Sequence, residues 1–326
     1  MTMQVKTAIV FGGTGFIGRQ IVRELAAKGY RVKVATRVPE RAYFLKPYGA
    51  VGQIVPVHCD YRDPQSITNV IAGCDYVVNT IGVLYQRGKA KFKKIHTELP
   101  VHIAQACQEL GVAKFVHISA LGCETGRSKY AKSKAEGEAQ IREIFPEAII
   151  LRPSVVFGPD DDFFNKFAEL ARYVPFLPLI GGGTTKFQPV YVGDVADAVM
   201  QVLETLELGE GNPCGKVYEL GGPDVLTFRE IYKLLEKYTG KKRALMPVPY
   251  PVAKLQALFL GVLPNPLLTP DQVESLKTDN VVEDTAFTLA DLGIHPTSMV
   301  SILPQYLERY RSGGKYAGKL EAGKPA

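Results

Sequence analysis

An α/β fold, with a doubly wound parallel sheet and a smaller C-terminal α/β lobe, is predicted by three observations. The apolar run Thr7-Ala8-Ile9-Val10-Phe11 passes through Gly12-Gly13-Thr14-Gly15-Phe16-Ile17-Gly18 straight into Arg19 to Lys28, whose spacing is helical. Strand-like apolar runs and helical segments then alternate to about residue 158, as parallel strands joined by crossover helices do. Beyond Gly158 the pattern changes to segments interrupted by proline and glycine.

The glycine turn is the informative element. Gly12 can take backbone angles that a side chain forbids, Gly15 lets the main chain approach a pyrophosphate, and Gly18 lets the helix pack close to the strand. The free amides at the helix start face the phosphates, helped by the helix dipole. A tight turn that binds nothing is the competing reading, and the flanking strand and helix weigh against it. Residues 1–158 therefore read as a Rossmann-type dinucleotide-binding domain, with Gly12, Thr14, Gly15, Phe16, Ile17 and Gly18 at the cofactor. Residues 159–311 read as a smaller lobe interleaved with that core, and 312–326 as a flexible basic tail.

Composition sets the outer limits. At 326 residues, 46% hydrophobic and 22% charged, the chain is ordinary for a globular protein with a substantial core. Its 39 basic and 33 acidic residues leave +6, which suits an anionic cofactor or an acidic membrane surface and is too weak to argue for nucleic acid. The five cysteines form no close pair and the five histidines show no ligand spacing, so reduced thiols and no metal are expected. The first strand begins within a few residues of Met1, leaving no room for a signal peptide, and no apolar run is long enough to span a bilayer.

In chain order, Gly29-Tyr30 stops the first helix and Arg31 to Thr36 alternates as a second strand. An acidic residue at that strand's end would bind the ribose hydroxyls of NAD; Thr36-Arg37 stands there instead. Arg37 can pair with a 2′-phosphate, so NADP(H) is favoured over NAD(H), the competing reading being a solvent arginine. A short helix over 40–46 leads to a strand over 53–58, with Asp60 and Tyr61 placed at the adenine edge and Asp63-Pro64 opening the next helix. The run Asp75 to Gly82 reads as a buried strand whose end, Thr80-Ile81-Gly82, suits close cofactor approach. Arg87 to Lys94 is the most basic stretch, a solvated helix start or a docking patch for phospholipid headgroups or an acidic partner. A helix over 94–110 and a strand over 114–119, ending in Ile118-Ser119, follow.

Ser128 to Glu136 opens a long helix on which Tyr130 and Lys134 lie four apart and share a face. An ammonium beside a phenol favours the phenolate and lowers its pKa toward the working range of a general acid or base. On an arbitrary helix the pair would mean little; one strand beyond a parallel series opened by a glycine turn, it becomes specific.

With the turn, Asp60, Tyr130/Lys134, the run Leu151 to Pro159 and the segment Phe187 to Ala196 in order, the chain resembles the extended branch of the short-chain dehydrogenase/reductase superfamily, over residues up to about 240. That resemblance implies roles at the cofactor for Ile118, Ser119, Tyr130, Lys134, Pro153, Ser154 and Val155. Within it, Ser128-Lys129-Tyr130, Lys134 to Glu138, Phe145 to Ser154 and Asp160 to Ala168 look like the NADPH-binding accessory subunit family of respiratory complex I and its bacterial relatives. The likeness implies a structural NADPH, complex I subunits as partners at the membrane surface, and a place in the cytoplasm or peripheral on the cytoplasmic face of the inner membrane (the matrix face in a mitochondrion). Active members carry Ser or Thr just past the fifth strand; that place falls on Ala120, with Ser119 one residue earlier. A one-residue shift reverses side-chain direction, so Ser119 is expected to point away from the tyrosine. Losing one such donor costs on the order of a hundredfold in rate. A working NADPH-dependent reductase, epimerase or dehydratase, acting on a nucleotide sugar or small carbonyl compound, is the rival reading.

In the second lobe, 162–173 reads as an amphipathic helix, and Pro175, Pro178 and Gly181-Gly182-Gly183 as a loop over the nicotinamide end. Lys216 to Leu220 reads as a strand, and Thr227 with Glu230 as a capping box for a helix to Tyr238. Asp194 is expected to cap the helix beginning there. The apolar stretch 247–268 reads as a packing helix or, alternatively, as an exposed face meeting a membrane or partner. A last helix is expected over 300–311.

Overall fold

Short apolar runs that can be buried on both faces become the strands of one parallel sheet, because crossover helices cover both sides of it. The computed structural model describes residues 5–205, 211–263 and 266–311; the tail 312–326 lies outside them. The chain runs β1 (Thr7–Phe11), α1 (Phe16–Ala27), β2 (Arg31–Thr36), β3 (Ile54–His58), α2 (Pro64–Ile71), β4 (Tyr76–Asn79), α3 (Leu99–Glu109), β5 (Lys114–Ile118), α4 (Lys129–Ile144) and β6 (Ile149–Pro153). It leaves that series for β7 (Val156–Phe157), α5 (Phe164–Tyr173), β8 (Phe176–Ile180), β9 (Lys186–Phe187) and β10 (Val190–Tyr191). It returns with α6 (Val192–Glu204) and β11 (Val217–Leu220). Then come β12 (Leu226–Thr227), α7 (Phe228–Thr239), β13 (Ala244–Val248), α8 (Tyr250–Leu260), α9 (Pro270–Ser275) and α10 (Met299–Leu307).

The main sheet has seven strands in the order β11-β6-β5-β4-β1-β2-β3, each pair parallel. Ala8 of β1 faces Val32 on one side and Tyr76 on the other, so the strand order reverses at β1. Parallel pairing brings the C-terminal ends of β1, β2, β4 and β5 to one edge. That is why residues distant in sequence can serve one ligand.

Two compact units result. Among the described residues, the first comprises 5–153, 192–205, 211–220 and 282–295; the second comprises 154–191, 221–263, 266–281 and 296–311. The division falls at Pro153 rather than at residue 158, and the chain re-enters the first unit twice. In the first, Ile9, Phe11, Val77 and Phe115 of the sheet pack with Ile103, Ile141 and Phe145. Buried Lys114 donates its ammonium to the Val202 and Leu203 carbonyls at 3.0 and 3.2 Å and to that of Thr205, so its charge caps the C-terminus of α6. The second unit has an aromatic core around Phe157, Phe164, Phe187, Phe228 and Tyr232. There the Tyr306 hydroxyl donates to Asp161 at 2.5 Å, and the same carboxylate accepts the Gly158 and Asn165 amides.

Local chemistry explains most element boundaries. Asp63 caps α2 by accepting the Gln65 amide at 3.1 Å, with Pro64 in the first turn. Thr227 and Glu230 form the reciprocal capping box of α7. Four expectations take a more specific form. The short helix expected over 40–46 is a 3₁₀ helix over 39–48, with Pro39 at its start and Pro47 unable to donate a backbone hydrogen bond. The helix expected over 94–110 opens with a wide π-helical turn, Lys93–Glu98, before α3. Asp194 lies inside the first turn of α6, where its carboxylate complements the helix dipole. In the stretch 247–268, α8 packs through small Ala253 and Ala257 against Ile180, Val248 and Val273, while its larger apolar side chains face out.

Candidate cofactor and active site

The turn after β1 sits where the strand order reverses. Gly12 has φ of 80°, a left-handed conformation that disfavours any side chain, and the Gly15 amide donates to its carbonyl at 2.9 Å. A Cβ on Gly12 would lie 2.6 Å from Thr80 Oγ1, and one on Gly18 only 2.2 Å from the Gly12 carbonyl oxygen. Gly15 is the N-cap of α1 and offers no side-chain acceptor, and the first turn holds no carboxylate. The leading amides of α1 thus keep their capacity for an anion. The backbone cradle and this donor set fit a dinucleotide pyrophosphate. Thr80 Oγ1 donates to the Phe11 carbonyl at 2.9 Å, and the Ile81 amide donates to Asn79 Oδ1 at 3.1 Å; together they fix the approach of Thr80, Ile81 and Gly82 to the turn.

At the end of β2, Thr36 is buried and its hydroxyl oxygen accepts the Val38 amide at 3.3 Å. The Arg37 guanidinium lies 5.9 Å from the Tyr61 ring centroid, and the Tyr61 hydroxyl donates to the Ala35 carbonyl at 2.7 Å. Asp60 is engaged by Arg62, whose Nη2 lies 2.8 Å from its carboxylate, and this pairing holds the Asp60 carboxyl down to about 2.

Lys134 is buried, and its ammonium donates to the Ile118 carbonyl at 3.1 Å, beneath Gly82. Burial lowers its pKa to about 8, with Glu138 and Cys123 acting in the opposite direction. Burial also pushes the Tyr130 phenol above its ordinary value, with Cys123 adding to the rise. The expectation that Lys134 depresses the phenol is thus corrected: desolvation opposes the phenolate. Ser119 is buried too, and its hydroxyl lies 4.0 Å from Cys123 Sγ. Pro153 ends β6 in the first unit, whereas Ser154 and Val155 belong to the second. Ser154 donates to Asn280 Oδ1 at 2.6 Å, and the Val155 carbonyl accepts the Val190 amide.

Three groups beside this site are missed by sequence reasoning. His96, fully buried in the wide turn before α3, lies beside the Tyr130 ring at 5.2 Å, edge-on. Its Nε2 accepts the Val83 amide at 3.0 Å, so Nδ1 carries the proton and donates to Ser133 Oγ at 2.9 Å. Ser133 in turn donates to the Tyr130 carbonyl at 2.7 Å. One neutral imidazole therefore ties the loop after β4 to the first turn of α4. The helix can come this close because residue 137 is glycine; a Cβ there would lie 2.0 Å from the His96 carbonyl oxygen. His117 is the second group, accepting Asn79 Nδ2 at 3.1 Å. Arg152 is the third: its Nε lies 3.1 and 3.0 Å from the two Glu138 oxygens, and its Nη2 reaches Glu124 at 2.5 Å. The thiol of Cys123 donates to Glu138 at 3.1 Å and is pushed up to about 12, chiefly by burial.

Burial, with Lys134 nearby, holds the His96 pKa down to about 3, from an ordinary 6.5. The unfolded chain then takes up the proton first, so stability falls as pH drops below 6.5 toward 3. The expected slope from this residue is about 1.4 kcal/mol per pH unit. Denaturant titrations at pH 7 and pH 5 check it: His96→Gln should lose that component of the slope, and an unchanged slope would remove His96 as its source.

A parallel sheet of this kind binds its ligands where the strand order reverses, and here that place is shaped for a dinucleotide. The chain is an NAD(P)-binding protein of the short-chain dehydrogenase/reductase class. Comparison with known proteins gives the particular family: the chain belongs to the NAD dependent epimerase/dehydratase family, matched over residues 8–221. It is 36% identical over 323 residues to NADH dehydrogenase [ubiquinone] 1 alpha subcomplex subunit 9, mitochondrial, of Arabidopsis thaliana, covering 95% of this chain and 79% of that one. It is 33% identical over 312 residues to the NADH-ubiquinone oxidoreductase 40 kDa subunit, mitochondrial, of Neurospora crassa, covering 95% and 81%. These likenesses run well past residue 240, where the recognisable motifs stop. Triphenylmethane reductase of Citrobacter sp. shares the fold, with a TM-score of 0.74 at 21% identity over 92% of this chain and 99% of that one. Among the described residues no helix is long and apolar enough to cross a membrane.

Proposed function

We propose that the chain is an NADP(H)-binding, atypical member of the extended short-chain dehydrogenase/reductase group, acting as an accessory or assembly subunit of a complex-I-like NADH:quinone oxidoreductase, with a mainly structural cofactor. The observation that carries this reading is a glycine turn whose backbone fits a dinucleotide pyrophosphate, beside a Tyr130 phenol that desolvation raises rather than lowers toward the range of a general base. The likeness to the Arabidopsis and Neurospora complex I subunits supports the assembly, and with it a place on the cytoplasmic or matrix face of the membrane.

When bound, the nicotinamide would supply hydride chemistry, and this chain's residues would determine whether that chemistry is used. The turn from Gly12 to Gly18 and the amides of α1 hold the pyrophosphate. Thr36 and Arg37 would meet a 2′-phosphate, and Lys134 would donate to the nicotinamide ribose. Tyr130 would be the proton donor in a working enzyme; at neutral pH its phenol stays un-ionised, so it holds a proton and does not act as a base.

Thermal unfolding with added cofactor tests the base of the proposal. NADPH at a hundred times its dissociation constant should add about 2.7 kcal/mol. Arg37→Ala should weaken NADPH on the order of tenfold and leave NADH unchanged, because one charge-assisted pair is lost. Equal affinities of the native chain for NADPH and NADH would overturn the preference, and no shift with either would overturn cofactor binding.

An active NADPH-dependent reductase, epimerase or dehydratase remains the second reading, favoured by the intact Tyr130/Lys134 pair and by a lysine near 8. Tyr130→Phe separates the two. Turnover lost with this exchange would establish the enzyme. Cofactor and partner retained, with no turnover to lose, would support the structural role.

A further inference from the structure

We propose that α8 is a membrane-docking helix that lies in the headgroup layer of an anionic phospholipid bilayer. Val252, Leu255, Leu258 and Phe259 are 46, 58, 58 and 73% exposed, and Val262 and Leu263 just beyond the helix are 84 and 46% exposed. Val252, Leu255 and Phe259 follow helical spacing on one side, with Leu258 beside them. The opposite side is anchored, since Ala253 and Ala257 are completely buried. Scattered exposed leucines are unremarkable in any protein, whereas a contiguous aliphatic and phenyl face on one anchored helix calls for a covering surface.

Charge identifies that surface. From Lys237 to Pro270 the sequence contains no Asp or Glu, but it contains Lys237, Lys241, Lys242, Arg243 and Lys254. Lys254 has a carboxylate, Glu274, at 3.8 Å, and Arg243 donates to the Ala171 carbonyl. Lys242 is exposed. An apolar face whose flanking sequence is rich in cations, with Glu274 of α9 as the carboxylate that meets Lys254, complements a layer of anionic headgroups over acyl chains. The 11 residues of α8 make about 16 Å of helix, roughly half the hydrocarbon thickness, so the helix lies along the surface and does not cross it.

This inference deepens the peripheral-membrane part of the proposed function. Its test uses the isolated full chain, so its failure is distinguishable from failure of the assembly reading or of cofactor binding. The measurement is flotation with phosphatidylcholine vesicles, with and without phosphatidylglycerol. The chain should float with the mixed vesicles, and added salt should weaken the binding. The triple exchange Leu255→Gln, Leu258→Gln, Phe259→Gln should reduce that partition by on the order of tenfold or more, since the apolar area removed from water is lost. Its melting temperature should stay near that of the native chain, because these side chains are exposed. Lys241→Gln with Lys242→Gln should weaken binding to the mixed vesicles several-fold and leave binding to pure phosphatidylcholine unchanged. Equal flotation of the native chain and the triple variant would overturn the proposal, as would absence of vesicle binding. A native dimer that the triple variant turns into a monomer, without vesicle binding, would assign the face to a second copy of the chain instead.

Discussion

Gly18→Ala is expected to abolish practical NADP(H) binding, weakening it by at least about a hundredfold while leaving most of the fold in place. The added Cβ would lie 2.2 Å from the Gly12 carbonyl oxygen and 2.8 Å from Gly12 C and Gly13 Cα. All three are backbone atoms, so no side-chain rotation relieves the overlap, and ordinary contact needs roughly 3.5–4.0 Å. Either α1 slides outward or the turn opens, by on the order of 1 Å. A displacement of that size at a reacting or binding centre typically costs about a hundredfold. Overpacking of this kind also removes about 1–3 kcal/mol of stability. Calorimetric titration with NADPH and denaturant unfolding of the same sample measure the two effects separately. Gly29→Ala is the matched control. Its Cβ meets nothing within 4 Å, so it carries only the strain of φ 85° and should keep the cofactor. A Gly18→Ala protein that binds NADPH like the native chain would sink the assignment of the turn.

Arg152→Met is expected to destabilise the first unit by about 3–5 kcal/mol, the usual cost of breaking a buried ion pair from one side. The reason is geometric. Arg152 and Glu138 are 7 and 3% exposed, Glu138 also accepts the Cys123 thiol, and Glu219 lies 3.7 Å from the guanidinium. Burial works against the Arg152 charge, but the hydrogen bonds it donates to Glu138 and Glu124 more than offset it and raise its pKa. Without the guanidinium, Glu138 is left as a buried carboxylate whose remaining partner is a thiol. Arg152→Met combined with Glu138→Met should recover much of the loss, since an apolar pair carries no unpaired charge. Denaturant unfolding of the two variants checks this. A double variant as unstable as the single would mean that packing, and not the uncompensated carboxylate, sets the cost. Because Glu138 shares α4 with Tyr130 and Lys134, the single variant should also disorder the catalytic-looking turn. Loss of NADPH affinity along with stability would report that coupling.

Legibility differed by kind of signal. Glycine in a left-handed turn, apolar alternation and cap residues act through the local backbone, so β1, the turn, α1, the Asp63 cap and the Thr227/Glu230 box were readable from the chain. His96 was hidden for an equally physical reason. The π-helical turn over Lys93–Glu98 departs from the 3.6-residue period, and neighbouring lysines made the segment look solvated. Ser133 and Glu138 stood in plain view on α4, yet their partners come from the turn before α3 and from β6, at separations of 37 and 14 residues. The stretch 247–268 shows the same limit. Apolar composition cannot say which side of a helix finds a partner, and only the buried alanines reveal that the larger side chains do not.

By itself, then, the amino-acid order determined a parallel α/β sheet, a glycine turn at its start and an arginine where a carboxylate would select NAD, since each depends on a few adjacent residues. Only the tertiary structure decided that desolvation raises the Tyr130 phenol, that Arg152 gathers buried carboxylates, and that α8 turns its apolar side outward. Those properties depend on burial and on partners far along the chain, which no local pattern records.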